Sequence, residues 1–242
     1  MNLYGEAALW VDSERHALDL RNRFWDELAA DAELRAHRTF CGKGYGMGDD
    51  SFHWMWKLLI DIMPKSFRFL EVGVYKAQVL SLVRLCAERT HRHADIFGVT
   101  LLSSFSGIRD DAIPHPDHNY IQNIRDLHSH FNQPMPTLVV GSSVSKPVHD
   151  IAKGMDPFDI IFVDACHEYD FVLNDLMFYP ELIKPGGYLV VDDAANNLKQ
   201  PRGFFQGIPD VTRAVTTAIA TNQAFEHVLT VCHDRIFRKV IR

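Results

Sequence analysis

The sequence predicts an α/β protein: a doubly wound, mostly parallel sheet of seven strands, with a C-terminal antiparallel hairpin and an N-terminal helical arm. Three observations predict it. From residue 67 onward, short apolar runs alternate with segments of helical period, the pattern that layers helices over a parallel sheet. The run Phe158-Asp-Ile-Ile-Phe-Val-Asp164 is nearly all apolar, as in a strand covered on both faces. The last two apolar runs, 225–231 and 235–240, are joined by a short turn near His233 and Asp234, which makes a hairpin.

In chain order, Leu20, Phe24, Trp25 and Leu28 make one helical face in the arm. Gly42, Gly44, Gly46 and Gly48 then form a flexible loop. No strand precedes it, so it reads as a mobile lid or linker and not as a phosphate cradle. A helix is expected over 52–63 and a strand over 67–73, ending at Gly73. Val79, Leu80, Leu82, Val83 and Cys86 suit a helix; 95–101 is a second strand, followed by a long loop over 102–116. Tyr120, Ile124, Leu127 and Phe131 predict a helix, and 137–140 a third strand. After the fourth strand, a helix over 171–183 is stopped by Lys184-Pro-Gly-Gly187, and a fifth strand covers 188–192. Val211, Ala214, Val215, Ala218 and Ile219 form the last helical face before the hairpin. The chain therefore divides into an arm with its glycine loop, 1–59, and one catalytic domain, 60–242.

Composition narrows the function. Among 242 residues, 31 acids face 25 Lys and Arg, a net charge of −6, which argues against wrapping a nucleic-acid backbone. No apolar run reaches the ~18 residues of a membrane span, and the N-terminus has no signal pattern. Cys41, Cys86, Cys166 and Cys232 form no CxxC pair. A cytoplasmic protein with reduced thiols is expected.

In a doubly wound sheet, ligands bind beyond the carboxyl ends of the strands. Asp164 closes the fourth strand; Asp192 and Asp193 close the fifth. If those strands are neighbours, the three carboxylates converge. They then either share a divalent cation such as Mg²⁺ or serve as ordinary strand-end aspartates. His167, three residues after Asp164, faces the same cleft and is a candidate general base. The pairs His91/His93, His115/His118 and His128/His130 have no carboxylate or thiol partner in range and read as solvated. Glu71-Val-Gly73-Val-Tyr75-Lys-Ala77 is a strand-to-helix turn with one glycine, where a dinucleotide fingerprint has three, so nicotinamide or flavin binding is disfavoured.

Three stretches carry a resemblance. Phe69-Leu-Glu-Val-Gly-Val-Tyr-Lys-Ala77 resembles the first motif, E-x-G-x-x-x-G, of class I S-adenosylmethionine-dependent methyltransferases, which have a Rossmann-like fold. Phe162-Val-Asp-Ala-Cys-His-Glu-Tyr169 and Leu182-Ile-Lys-Pro-Gly-Gly-Tyr-Leu-Val-Val-Asp-Asp193 resemble that fold's fourth and fifth strands. The set is most similar to the metal-dependent O-methyltransferases of natural-product tailoring, of the cephalosporin-biosynthesis and macrolide-sugar type. The resemblance covers about residues 60–242 and implies transfer of a methyl group to a small-molecule hydroxyl. It implies S-adenosylmethionine contacts at Glu71, Gly73, Tyr75, Thr100, Ser142, Ser143 and Asp164. It further implies Mg²⁺ at Asp164, Asp192 and Asp193, a base at His167, and a homo-oligomer that binds neither nucleic acid nor membrane. Two positions depart from the pattern: Ala77 stands for the motif's last glycine, and Thr100 stands where an acid usually meets the ribose. A methyltransferase-like subunit that only binds or assembles is the alternative reading.

Overall fold

A computed structural model describes residues 2–102, 119–155 and 157–241. Four helices come first: α1 (Leu3–Leu9), α2 (Glu14–Ala30), α3 (Ala32–Cys41) and α4 (Ser51–Asp61). The alternating part follows as β1 (Ser66–Val72), α5 (Gln78–Arg89), β2 (His93–Thr100), α6 (Tyr120–His130), β3 (Thr137–Val140), α7 (Lys146–Met155), β4 (Phe158–Val163), α8 (Tyr169–Phe178) and β5 (Ile183–Val191). The chain closes with α9 (Pro209–Val215), β6 (Phe225–Val231) and β7 (Asp234–Lys239). The strand order is β3-β2-β1-β4-β5-β7-β6. Strands β1 to β5 pair in parallel, and β7 runs antiparallel to β5 and β6. Because β1 lies between β2 and β4, winding reverses there, and a crevice opens beyond the carboxyl ends of β1 and β4.

Both faces of the sheet are packed, which is why every residue of β4 is buried. One face carries the arm and α5. The Trp56 ring on α4 meets Phe69 and Phe162 edge-on, with centroids 5.6 and 5.2 Å away. The second face carries α7, α8 and α9 over Leu70, Ile161 and Leu189. The arm thus covers the sheet of its own chain, and α4 runs across position 59/60 into the shared core. Among the described residues no helix is long and apolar enough to cross a membrane.

Several local expectations change. The helix α7 has no counterpart in the sequence reading, although Val148, Ile151, Ala152 and Met155 recur along it at helical spacing, with Val148 and Ala152 buried. The helix expected over 171–183 ends at Phe178 and passes through a 3₁₀ turn, Tyr179–Leu182. Lys184 to Gly187 then lies inside β5, where a shift of register against Phe158 and Ile160 absorbs the breakers. The last predicted helix finishes as a π turn, Thr216–Ala220. His128, read as solvated, is buried at 2 % exposure on the inner face of α6. His115, His118 and residues 103–116 of the long loop lie outside the described residues.

Candidate functional site

The site is assembled by backbone bonds that prolong the sheet past its strand ends. The Asp164 N–H donates to the Val72 carbonyl at 2.8 Å, and the Asp192 N–H donates to Val163 at 3.1 Å. Each bond carries an aspartate one step beyond its strand, so the two carboxylates come side by side. Gly73 makes this possible: its φ is +104°, and a Cβ there would overlap the Asp164 carbonyl. Asp193 has a φ of 56°, unusual for a residue with a side chain, and its carbonyl accepts from the Ile208 N–H at 2.9 Å. Across the sheet, Ala194 N–H donates to the His233 carbonyl at 2.8 Å, and Val191 pairs with Arg235. The hairpin turn of β6 and β7 is thereby docked against the end of β5.

Four carboxylates and two imidazoles meet as a result. His167 Nε2 lies 3.5 Å from Asp193 Oδ2 and 3.7 Å from Asp164 Oδ1. His233 Nε2 lies 3.4 Å from Asp192 Oδ1 and 3.9 Å from Asp193 Oδ1. Burial, then the negative charge of Asp192, holds the Asp164 carboxyl well above the usual carboxylate range. Asp234 is pushed up well above it for the same two reasons. Burial also pushes Asp192 up, but a hydrogen bond with Asp234 and the nearby His233 outweigh it and hold Asp192 below its ordinary value. So many like charges cannot all ionise side by side without a cation. His233 is held below the ordinary histidine range, chiefly by burial.

A cavity of about 720 Å³ joins this cluster to the end of β1, a size typical of small-ligand pockets. Glu71, Gly73, Tyr75, Thr100, Ser142, Ser143, Asp164, His167, Asp192 and Asp193 all line it. Their local roles differ. Glu71 is buried, its Oε2 has no hydrogen-bond partner, and burial pushes its carboxyl up to about 8 against a bond from the Leu80 N–H. The Thr100 hydroxyl donates to the Val74 carbonyl at 2.9 Å and accepts from the Leu102 N–H at 3.0 Å, so it clasps the turns after β1 and β2. Ser143 donates to Asp175 at 3.0 Å. Tyr75 stands edge-on to Tyr120 at 5.6 Å. Ala77 takes the left-handed conformation, φ 64° and ψ 27°, at the start of α5.

The arm supplies the other wall. Lys76 Nζ donates to the Gly44 carbonyl at 2.7 Å, and Gln78 Nε2 donates to Met47 at 2.8 Å. The glycine loop is thus latched onto the turn after β1. Asp49 is gripped by Arg21 at 2.8 Å and by the Trp25 indole at 2.7 Å. Phe52 packs edge-on against His233 at 4.8 Å.

Sequence reasoning brings forward Asp164, His167, Asp192 and Asp193, and the structure gathers all four. It misses His233 and Asp234, read only as a turn. Among the described residues, Asp192, His233 and Asp234 are the set whose ligand atoms lie within 4.8 Å of one another. The acid-plus-histidine dipeptide in a hairpin turn was the available signal, but its meaning depends on β7 pairing with β5.

Comparison with known proteins follows the same lines. The family profile described as "Methyltransferase domain" matches residues 70–194. A 66-residue segment is 35 % identical to the uncharacterized protein R132 of Acanthamoeba polyphaga mimivirus; the match spans 27 % of this chain and 26 % of the viral protein. Solved structures share the fold at low identity. A Staphylococcus aureus chain assigned as a caffeoyl-CoA O-methyltransferase aligns with a TM-score of 0.62 and 14 % identity, over 93 % of this chain and 100 % of that one. The Podospora anserina methyltransferase PaMTH1, bound to SAH, aligns at 0.59 and 14 % identity, over 88 % and 89 %. The O-methyltransferase TomG of Streptomyces achromogenes, bound to SAM, aligns at 0.53 and 16 % identity, over 87 % and 91 %.

Proposed function

This chain belongs to the methyltransferase-domain family, and from that premise we propose that it transfers a methyl group from S-adenosylmethionine to a hydroxyl of a small molecule, such as a sugar or natural-product intermediate. The observation that carries the reading is the clustering of Asp164, His167, Asp192 and Asp193 on one wall of a cavity whose other wall is the turn after β1. The unpartnered, buried Oε2 of Glu71 fits a cationic group of the donor, such as its ammonium. Gly73, Tyr75, Thr100, Ser142 and Ser143 shape the remainder of the donor pocket. The crowding of carboxylates fits a divalent cation. Asp164, Asp192 and Asp193 would hold Mg²⁺ or a similar ion, which would supply Lewis acidity at a substrate hydroxyl. His167 takes the hydroxyl proton at Nε2, and Asp164 and Asp193, 3.7 and 3.5 Å away, stabilise the imidazolium that forms. Pairing both reactants in one enclosed cavity supplies much of the rate, up to ~7–11 kcal/mol for a well-aligned pair.

The test is methyl transfer from labelled S-adenosylmethionine to a panel of hydroxylated small molecules. His167→Ala should lower turnover roughly 10²–10⁴-fold. Its affinity for S-adenosylhomocysteine should stay within about twofold. Undiminished turnover in His167→Ala removes the histidine from the mechanism.

A further inference from the structure

We propose that His233 and Asp234, from the hairpin turn, add to Asp192 in holding the cation of the carboxylate cluster, and that the imidazole makes the site prefer a first-row transition ion such as Mn²⁺, Fe²⁺ or Zn²⁺ over Mg²⁺. The inference deepens the proposed function and rests on its premise that the carboxylate cluster holds a cation.

The geometry suits one ion. The three ligand atoms lie within 4.8 Å of one another, and His233 Nε2 is 3.4 Å from Asp192 Oδ1. Two ligands each about 2.1 Å from a tetrahedral ion stand about 3.4 Å apart. An independent sign is that Asp234 is 2 % exposed and its Oδ1 has no hydrogen-bond partner. A buried carboxylate oxygen without a donor is costly unless a cation faces it. Among the described residues no lysine or arginine forms an ion pair with Asp192 or Asp234; the group that faces Asp192 is the His233 imidazole. The ligands are also held in place before any ion arrives. Phe52 and Phe205 pack edge-on against His233, at 4.8 and 5.0 Å, and the His233 carbonyl is fixed by Ala194. The three residues line the cavity, which gives an ion its path.

The donor set decides the metal. Mg²⁺ favours an all-oxygen shell and dehydrates reluctantly, whereas a nitrogen ligand is taken better by first-row transition ions, least by Mn²⁺ and more by Fe²⁺ and Zn²⁺.

The experiment uses the full chain, loaded with Mn²⁺ alone or Mg²⁺ alone. Calorimetry should give Mn²⁺ binding at least tenfold tighter than Mg²⁺. Electron spin echo modulation of the Mn²⁺ sample should show ¹⁴N coupling. That coupling should survive in His167→Gln and vanish in His233→Gln, while Asp234→Asn weakens Mn²⁺ binding tenfold or more. Circular dichroism melting identifies any variant that fails to fold, and the wild-type ¹⁴N signal and ion preference stand without variants. Equal affinity for the two ions, no ¹⁴N coupling, or coupling lost only in His167→Gln would overturn the proposal. Titration with S-adenosylhomocysteine in metal-free buffer reports on the methyltransferase reading by itself, so the two can fail separately.

Discussion

Gly73 is the residue on which the site's assembly turns. Its φ of +104° and the contact of its α-carbon face with the Asp164 backbone leave no room for a side chain. Gly73→Ala should cost about 2 kcal/mol or more, from left-handed strain plus overpacking, and should displace Asp164 from Asp192. Urea unfolding of the variant checks this; stability within 0.5 kcal/mol of wild type would contradict it. Glycine at this place was legible, because a strand ending in glycine before a helix marks a tight turn. Asp164, Asp192 and Asp193 were legible for a similar reason, since strand ends in a doubly wound sheet face the ligand. His233 and Asp234 were not. A turn dipeptide gains a role only through the antiparallel register that sets Val191 opposite Arg235, and no local period encodes that register. Thr100 was legible as a site residue, but its hydroxyl is committed to Val74 and Leu102.

Between elements, the arm is bound to the sheet domain by a buried polar chain. His37 on α3 meets His53 on α4 at 3.0 Å and the Ser81 hydroxyl on α5 at 3.1 Å; Ser81 in turn donates to Gln133 at 2.8 Å. Both imidazoles are buried, and burial holds His37 at about 3. A histidine whose folded pKa is depressed contributes stability that is complete above its unfolded value of about 6.5. That stability is lost as pH falls through the window toward 3, because the unfolded chain takes up the proton first. The urea midpoint of the wild type should therefore fall more steeply between pH 6.5 and 4 than that of His37→Gln. Parallel slopes would show that His37 does not couple the arm to acid. Strong periods made α2, α5 and α6 readable as helices. The arm's place over the sheet was less so, because apolar residues at helical spacing do not say which surface they cover. The π turn after α9 escaped because π geometry has no sequence period, whereas α7 carries Val148, Ile151, Ala152 and Met155 at helical spacing and was there to be read.

At the scale of the whole molecule, two apolar layers bury the sheet, and the carboxyl ends of β1, β4 and β5 bring their polar residues to one rim. There Glu71, the carboxylate cluster and the latched glycine loop enclose one cavity of about 720 Å³. Part of the chain's acidic surplus is thus concentrated at that rim: Glu71 and five aspartates all line the cavity. That cavity is the proposed seat of S-adenosylmethionine. The most direct measurement is calorimetric titration of the full chain with S-adenosylhomocysteine, in wild type and in Glu71→Gln. Saturable binding of one ligand per chain is expected, weakened about tenfold or more in the variant, because a charge-assisted bond to the buried Glu71 is removed. No binding to the folded wild type would contradict it and favour a methyltransferase-like subunit that transfers nothing.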